Sequence, residues 1–403
     1  MARTTETAAR RWVAEHARAL TTTDPADALT DLHPLRELLA DAEIVGIGEQ
    51  TRAAHEVMTQ AHRVLRLLVE DLGFRVLAIQ DDEVAVERVN AYVLGGDEDV
   101  RTAMSELWAP WRTAELRAVV EWARAFNRRH RSDPLRIVGL DAPSARPADY
   151  QAVIEHVARV RPELVPELRR HYDVIVTAHE VPEHVQHARG VHPGRPFVEH
   201  ARDALDLVAA LPDPGVALEK AKLIVDAHAG SFAGGGFDYA ETRRRSVAVL
   251  TSLLRDDGVK IAYWEGMSFT ANAPRVIPAA LLGPFQSVGN ELRERLGERY
   301  VSLLIAFARG DVSGLHPGQV VPDPMPGSAD AVLAAGPDRY LLDLRSPRPE
   351  PVNDWLGGPH KLRIISGIYK AEADPEHYLT AGRLDEWFDA VLQVGTVTPT
   401  TLL

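Results

Sequence analysis

Residues 43–48, with the sequence EIVGIG, decide the fold, because this short apolar run stands directly before a helical pattern. In residues 53–72, apolar side chains recur at the spacing of one helix face. Apolar runs at 74–79 and 135–140 repeat the unit, each beside a further helical pattern. Strands that alternate with helices predict an α/β fold, in which a mostly parallel sheet carries helices on both faces.

The second part of the chain changes character twice. Residues 145–257 have helical patterns and no competing strand signal, after which short apolar runs return. These runs lie at 259–264, 300–305, 339–344, 362–365 and 390–392. We therefore predict one domain of residues 1–403, in which a helical insert separates a first βα half (1–144) from a second βα half (258–403).

The composition excludes several kinds of partner. The 403 residues include 45 Lys and Arg against 58 Asp and Glu, so the formal net charge is −13. An acidic chain without a long basic block is not expected to bind nucleic acid. No run approaches the ~20 apolar residues of a membrane span, and the N-terminal residues contain no apolar leader pattern. We expect a cytoplasmic protein with no membrane partner.

The residue types also argue against a metal or a cofactor. The chain has no cysteine, which excludes disulfides, thiolate metal sites and cysteine nucleophiles. Asp226 and His228 could ligate a metal, but residues two apart on a helix face different ways, and His228 is more simply a hydrogen-bonded residue at a helix end. Residues 234–236 (GGG) are a weak phosphate-loop signal, because no Lys or Ser/Thr follows them.

Polar side chains follow four of the predicted strands at the point where each strand ends. They are Glu49, Gln80 with Asp81, Asp141 and Glu265. In an open parallel sheet, ligands bind outside the carboxyl ends of the strands, so these side chains predict a site. A carboxylate in this position can instead cap the following helix, and for Asp141 we favour the cap.

The stretch 46–56 (GIGEQTRAAHE) resembles a motif of the erythromycin esterase family. The resemblance continues through the chain, and the order and spacing of its weak motifs make it fairly specific. These motifs lie at 70–74, 89–95, 122–127, 138–141, 231–236, 288–292, 296–300, 364–369 and 387–391. The resemblance implies an α/β fold with two related halves and a deep cleft between them. It also implies hydrolysis of macrolide lactones by a histidine base that activates water.

The positions that carry the family's chemistry differ in this sequence. The family motif places a histidine three residues after its glutamate, whereas this chain has Arg52 there. The glutamate expected after the second strand is Gln80, and the basic residue expected on the first helix is Ala61. Two further family histidines align with Gly266 and Phe269. The resemblance therefore leaves only Glu49 of the family's polar set in place.

These changes predict altered chemistry. Arg52 stays protonated at any working pH, so it cannot act as a base, but it can stabilise an oxyanion or hold a carboxylate. Glu49 or Glu265 could accept or donate a proton if burial raises its pKa. His55 lies about one helical turn beyond Arg52 and could supply a displaced base. We expect Glu49, Arg52 and Glu265 to meet in one cleft, with His55 as the fourth catalytic candidate.

We predict an enzyme of this fold repurposed for acid–base chemistry, such as cyclisation, elimination, isomerisation or acyl transfer. Its substrate would be a bulky, partly apolar small molecule, a polyketide-like or macrocyclic product of bacterial secondary metabolism. The predicted substrate-binding residues are Gln80, Asp81, Trp108, Trp111, His228, Tyr263 and Met267. For Trp108 and Trp111, core packing is nearly as plausible as substrate binding. Two alternatives remain: an ester or lactone hydrolase with His55 or His228 as base, and a catalytically inactive small-molecule-binding protein.

Overall fold

The computed structural model describes residues 2–192, 194–229, 239–277 and 284–403. The chain divides into two compact units. The first unit contains Met1–Ser105, Pro110–Asp141 and Ala240–Leu403, and the second contains Glu106–Ala109 and Ala142–Tyr239. No helix within the described residues is long and apolar enough to cross a membrane.

The first unit is built on a nine-stranded sheet with the strand order β1-β8-β11-β6-β2-β5-β3-β4, in which β7 pairs with β6. The strands are β1 Arg18–Ala19, β2 Ile44–Glu49, β3 Phe74–Asp82, β4 Arg136–Asp141, β5 Lys260–Gly266, β6 Tyr300–Asp311, β7 Val320–Val321, β8 Arg339–Asp343 and β11 Ala390–Val397. All pairs from β11 to β4 are parallel, whereas β8, β1 and β7 pair antiparallel. The prediction of an α/β fold with a mostly parallel sheet is confirmed.

Two shorter strands form a separate antiparallel pair, β9 (His360–Arg363) with β10 (Tyr378–Gly382). The sequence pattern predicted the first of them but gave no sign that it leaves the main sheet. The helices of the first unit are α1 Ala2–His16, α2 Pro34–Leu39, α3 His55–Asp71, α4 Glu83–Val93, α5 Val100–Met104, α6 Ala114–Arg129, α12 Tyr239–Asp257, α13 Met267–Thr270, α14 Val288–Leu296, α15 Ala329–Leu333, α16 Glu350–Leu356 and α17 Leu384–Trp387.

The second unit is helical. Its helices are α7 Pro147–Val160, α8 Val165–Ile175, α9 Glu183–Ala188, α10 Phe197–Ala209 and α11 Gly215–Ala229. Tyr150, Leu168, Tyr172 and Phe197 lie in its buried core. The predicted insert, 145–257, extends further than this unit, because α12 packs on the sheet of the first unit.

The contact that draws α12 to the sheet is hydrophobic. Val247 and Leu250 of α12 are buried in one cluster with Ile261 and Tyr263 of β5. A helical period in the sequence shows which residues share a face, but it does not show which element that face packs against.

The central strand β2 is completely buried and owes its close packing to two glycines. A Cβ at Gly46 would lie 2.4 Å from the Tyr300 hydroxyl, and one at Gly48 would lie 2.3 Å from Thr270 Oγ1. Because neither contact is sterically possible, these positions need glycine. The short helix α13 can therefore lie directly on β2, immediately after the end of β5.

Candidate acid–base site

The register of β2 and β5 brings two glutamates together at the carboxyl edge of the sheet. Gly48 is level with Glu265, and Glu49 is level with Gly266. Side chains at successive strand positions point to opposite faces, so Glu49 and Glu265 approach the edge from different sides. Both residues are 2% exposed.

Arg52, three residues beyond the end of β2, bridges the two glutamates. Its Nε lies 3.0 Å from Glu49 Oε1, and its Nη2 donates to Glu265 Oε1 at 2.7 Å. Arg52 is itself only 9% exposed. The structure therefore brings together the three residues that the sequence placed at one site, and it shows one cation facing two buried carboxylates.

Two tryptophans hold this cluster in place. Trp264 Nε1 donates to Glu49 Oε2 at 2.6 Å, and the guanidinium of Arg52 lies 4.0 Å from the ring centre of Trp111. The two indoles meet edge to face with ring centres 5.8 Å apart. Trp111 also donates to the main-chain oxygen of Gln80 at 2.8 Å. Trp111 is completely buried, and it contacts Arg52, Trp264 and the main chain of Gln80.

Glu265 receives further donors. The N–H of Gly266 donates to its Oε1 at 2.9 Å. With the amide of Gln80 oriented to satisfy both of its ends, the amide nitrogen lies 3.0 Å and 3.1 Å from the two carboxylate oxygens of Glu265. Gln80, predicted to bind substrate, thus contacts a predicted catalytic residue.

There is free space beside Gly266, because a Cβ at this position would meet only the Phe269 ring, at 3.9 Å.

Burial controls the protonation of this cluster. It raises the pKa of Glu49 and raises the pKa of Glu265 to about 8, although Arg52 acts against both shifts. Burial alone would lower the pKa of Arg52, but Glu49 and Glu265 raise it, so the guanidinium stays charged. One cation cannot neutralise two buried carboxylates. At neutral pH the cluster therefore retains a proton on Glu265.

Two further acids lie at the same edge. Asp81 is buried, and its Oδ1 accepts the N–H of Asp82 at 2.8 Å. Burial raises the pKa of Asp141 to about 6. Asp141 does not begin a helix, because α7 starts at Pro147, so the cap that we favoured from sequence is wrong. The sequence places Asp141 directly after a predicted strand, where we favoured a helix cap over a role in the site.

His55 has a different environment. It begins α3, its side chain is 46% exposed, and its Nδ1 lies 2.8 Å from Glu115 Oε1. This hydrogen bond raises the pKa of His55, and partial burial acts against the shift. The structure therefore pairs His55 with Glu115.

Tyr263 and Met267, predicted to shape an apolar pocket, lie in two separate hydrophobic clusters. Tyr263 is 1% exposed and Met267 is not exposed at all. Tyr263 packs on the side of the sheet that α12 covers, and Met267 packs with residues such as Trp12 and Leu304. The structure gives both side chains a packing role.

The remaining candidates belong to the second unit. Trp108 lies in its short segment Glu106–Ala109. His228 Nε2 lies 2.8 Å from the Tyr150 hydroxyl, and burial lowers the pKa of His228 to about 4. Their part in substrate binding remains a prediction. The glycine motif at 231–236 lies outside the described residues.

From the sequence we expect no metal site. Within the described parts of the chain, no group of three or more His, Asp or Glu side chains is arranged to hold a metal ion. The expectation that function needs no metal and no cofactor remains a prediction, which chelation can test.

The fold and the site together define an α/β protein with buried strand-end carboxylates around one arginine. The chain belongs to the erythromycin esterase family, whose model matches residues 69–397.

Two curated relatives support this assignment over parts of their length. Erythromycin esterase type II of Escherichia coli is 25% identical over 134 residues, which are 33% of this chain and 31% of that protein. The putative hydrolase YbfO of Bacillus subtilis (strain 168) is 27% identical over 171 residues, or 41% of this chain and 37% of that protein. The matches thus span about a third of each relative.

Solved structures share the fold over nearly the whole chain. A Bacillus cereus protein superposes with a TM-score of 0.68 at 20% identity, covering 99% of both chains. A succinoglycan biosynthesis protein gives 0.64 at 20% identity, covering 100% of this chain and 98% of its own. A histidine-to-asparagine mutant of the erythromycin esterase EreC, in its open conformation, gives 0.57 at 16% identity, covering 94% and 97%.

Proposed function

We propose that this protein is an enzyme that uses Glu49, Arg52 and Glu265 for acid–base chemistry that does not hydrolyse its substrate. The reaction would be a cyclisation, elimination, isomerisation or acyl transfer on a polyketide-like or macrocyclic product of bacterial secondary metabolism. The observation that carries the proposal is the buried Glu265 in contact with Arg52, because burial raises its pKa to about 8 and such an acid can give up a proton near neutral pH.

In this proposal each group has a role that its contacts support. Glu265 Oε1 accepts from Arg52 and Gly266, whereas Oε2 faces only the Gln80 amide among these donors, so we place the proton on Oε2. Arg52 keeps its charge when Glu265 loses the proton, and it stabilises the negative charge that then develops. Glu49 forms an ion pair with Arg52 and accepts from Trp264, which fixes the position of the guanidinium.

A second candidate function rests on the pair of His55 and Glu115. An imidazole that a carboxylate orients and that solvent can reach is the arrangement of a general base in a hydrolase. In this alternative, His55 would activate water for attack on an ester or lactone. The Arg52 cluster, which consists of Glu49, Arg52 and Glu265, would stabilise the oxyanion.

Mass spectrometry separates the two functions. The purified protein would be incubated with erythromycin, a simple activated ester, and a panel of macrolactones and linear polyketide-like hydroxy acids. We expect erythromycin and the activated ester to remain unchanged, and any product from the panel to be an isomer or to have lost water. Products that gain one water, at a rate that falls in the His55→Asn variant and persists in Glu265→Gln, would establish the hydrolase instead.

The requirement for metal is tested in the same assay. We expect a chelator to leave any conversion unchanged, and elemental analysis of protein purified without added metal to show no stoichiometric zinc. Restoration of activity by added zinc after chelation would contradict a metal-independent mechanism.

A further inference from the structure

One carboxylate at the candidate site remains partly exposed. Asp141 ends β4 and is level with Asp82 of β3, and β3 lies next to the strand that carries Glu265. Glu49 and Glu265 are buried, whereas Asp141 keeps part of its surface in contact with solvent. Asp141 is thus a carboxylate at this edge of the sheet that is not fully buried.

Among the described residues, the side chain of Asp141 does not cap a helix. The next helix begins at Pro147 and has its own acid, Asp149, in its first turn. Arg245 holds the backbone here, donating to the main-chain oxygens of Leu140 at 3.1 Å and Asp141 at 3.4 Å. No hydrogen bond from a described residue reaches the carboxylate oxygens of Asp141.

Charged groups face Asp141 from each neighbouring element. Arg245 of α12 and Arg52 favour its ionised form, and Asp82 of β3 disfavours it. Glu265 of β5 is coupled to it as well, because the charge of Asp141 helps to raise the pKa of Glu265. Asp141 therefore belongs electrostatically to the Arg52 cluster.

We propose that Asp141 is a second catalytic residue, the base that takes a proton from the substrate while Glu265 gives a proton to it. This inference rests on the proposed function. In a cyclisation, a substrate hydroxyl attacks a carbonyl carbon, and its proton passes to Asp141 as the new C–O bond forms. The departing oxygen leaves with the proton of Glu265 as its own C–O bond breaks.

The proton then has to return, and the two carboxyls are suited to that step. After the reaction Asp141 is protonated and Glu265 is ionised. Glu265 binds a proton more tightly, with a pKa of about 8 against about 6 for Asp141, so the proton moves back without outside help. The site thus regains its starting state, and no co-reactant is consumed.

A titration without substrate tests the coupling. Trp264 and Trp111 contact Glu49 and Arg52, so tryptophan fluorescence between pH 5 and 9 should report the protonation of the cluster. We expect a transition near pH 8 in the wild type, lost in Glu265→Gln and shifted down by roughly half a unit or more in Asp141→Asn, since a nearby negative charge is removed.

Asp133→Asn is the matched control for Asp141→Asn. Asp133 precedes the opposite end of β4, its side chain is 60% exposed, and it pairs with Arg75. Its substitution removes the same charge and should leave the transition near pH 8 in place. A transition that stays at the wild-type pH in Asp141→Asn overturns the inference.

The rate of conversion provides the second measurement, with any compound of the panel that the wild type converts. Asp141→Asn should lower kcat by about 100-fold or more and abolish the rise in rate near pH 6, while Asp133→Asn keeps both. Wild-type kcat in Asp141→Asn combined with an inactive Glu265→Gln overturns only the role of Asp141. Wild-type kcat in Glu265→Gln overturns the proposed function as well.

Discussion

Two buried arginines of the first unit, Arg52 and Arg363, have partners of different kinds. Arg363 is completely buried and donates to the main-chain oxygens of Ala308, Pro322 and Asp323. Its Nε lies 3.0 Å from Asp374 Oδ1. Arg52 instead meets two glutamates from different strands and the face of an indole.

The difference separates a fixed contact from a titratable one. Carbonyl oxygens do not titrate, so the three carbonyl contacts of Arg363 join β6, β9 and the chain after β7 at any working pH. Carboxylates can take up a proton, so the balance of charge around Arg52 changes with pH and with the state of a substrate. The same residue type thus serves structure in one place and is suited to chemistry in the other.

Substitution of Arg363 should have the largest effect on stability. Arg363→Met leaves three carbonyl groups without a donor and Asp374 without its cation, which should lower the free energy of unfolding by about 3–5 kcal/mol. Urea denaturation at pH 7 measures the loss. Arg309→Met, which removes an exposed ion pair with Asp323, is the control and should cost far less stability, because solvent screens an exposed pair. Equal losses in the two variants would refute the structural role.

Glu265→Gln should change how stability depends on pH. The pKa of Glu265 is about 8 in the folded protein and lies near 4.5 when it is exposed, so the folded state holds the extra proton between these values. The stability that this proton contributes is fully present below about pH 4.5 and is lost as pH rises through about 8. At pH 9 the variant should therefore be more stable than the wild type, by at most about 5 kcal/mol, which is the free-energy equivalent of the whole shift. Parallel curves of unfolding free energy against pH would contradict this expectation.

Arg52→Met should destabilise less than Arg363→Met. At pH 6 both glutamates can protonate once their cation is removed, so we expect a loss of about 1–2 kcal/mol in urea denaturation. The fluorescence transition of Glu265 should move above pH 8, because Arg52 no longer lowers its pKa. A loss as large as that of Arg363→Met would place Arg52 among the structural arginines.

Trp264→Phe should have the smallest effect. It removes the N–H donor to Glu49 and should cost about 1 kcal/mol beyond the loss of volume, with a further rise in the pKa of Glu49. Trp12→Phe is a matched control, because Trp12 is also buried but its indole N–H has no hydrogen-bond partner among the described residues. If both variants lose the same stability in thermal and urea unfolding, the hydrogen bond from Trp264 to Glu49 does not contribute to the free energy of unfolding.

The strand ends were predictable because periodicity is local. Apolar runs located β2 and β5 to within two residues, and parallel pairing then brought Glu49 and Glu265 to one edge. The bond between Trp264 and Glu49 was not predictable, since it depends on which indole rotamer the packing around β5 allows. The sequence likewise gave no sign that Gln80 would contact Glu265 instead of a ligand.

Contacts between residues far apart in sequence were missed for the same reason. Gln50 directly follows the observed strand β2, and its amide donates to Asp330 at 2.6 Å across 280 residues. Asp330 in turn accepts the N–H of Arg363 at 2.9 Å. No local pattern marks such a network, because each member is an ordinary polar residue until tertiary packing excludes water.

Gly48 and Gly266 differ in how much change they tolerate during evolution. Any side chain at Gly48 would collide with Thr270, so this position is closed to substitution while α13 lies on β2. Gly266 ends the neighbouring strand with room beside it, and its backbone conformation, with φ −51° and ψ 140°, suits other amino acids. A lineage can thus gain or lose a side chain beside Glu265 without rebuilding the sheet. The reaction can therefore change at this position while the fold stays the same. Randomising position 266 alone and selecting for activity would show which side chains it accepts.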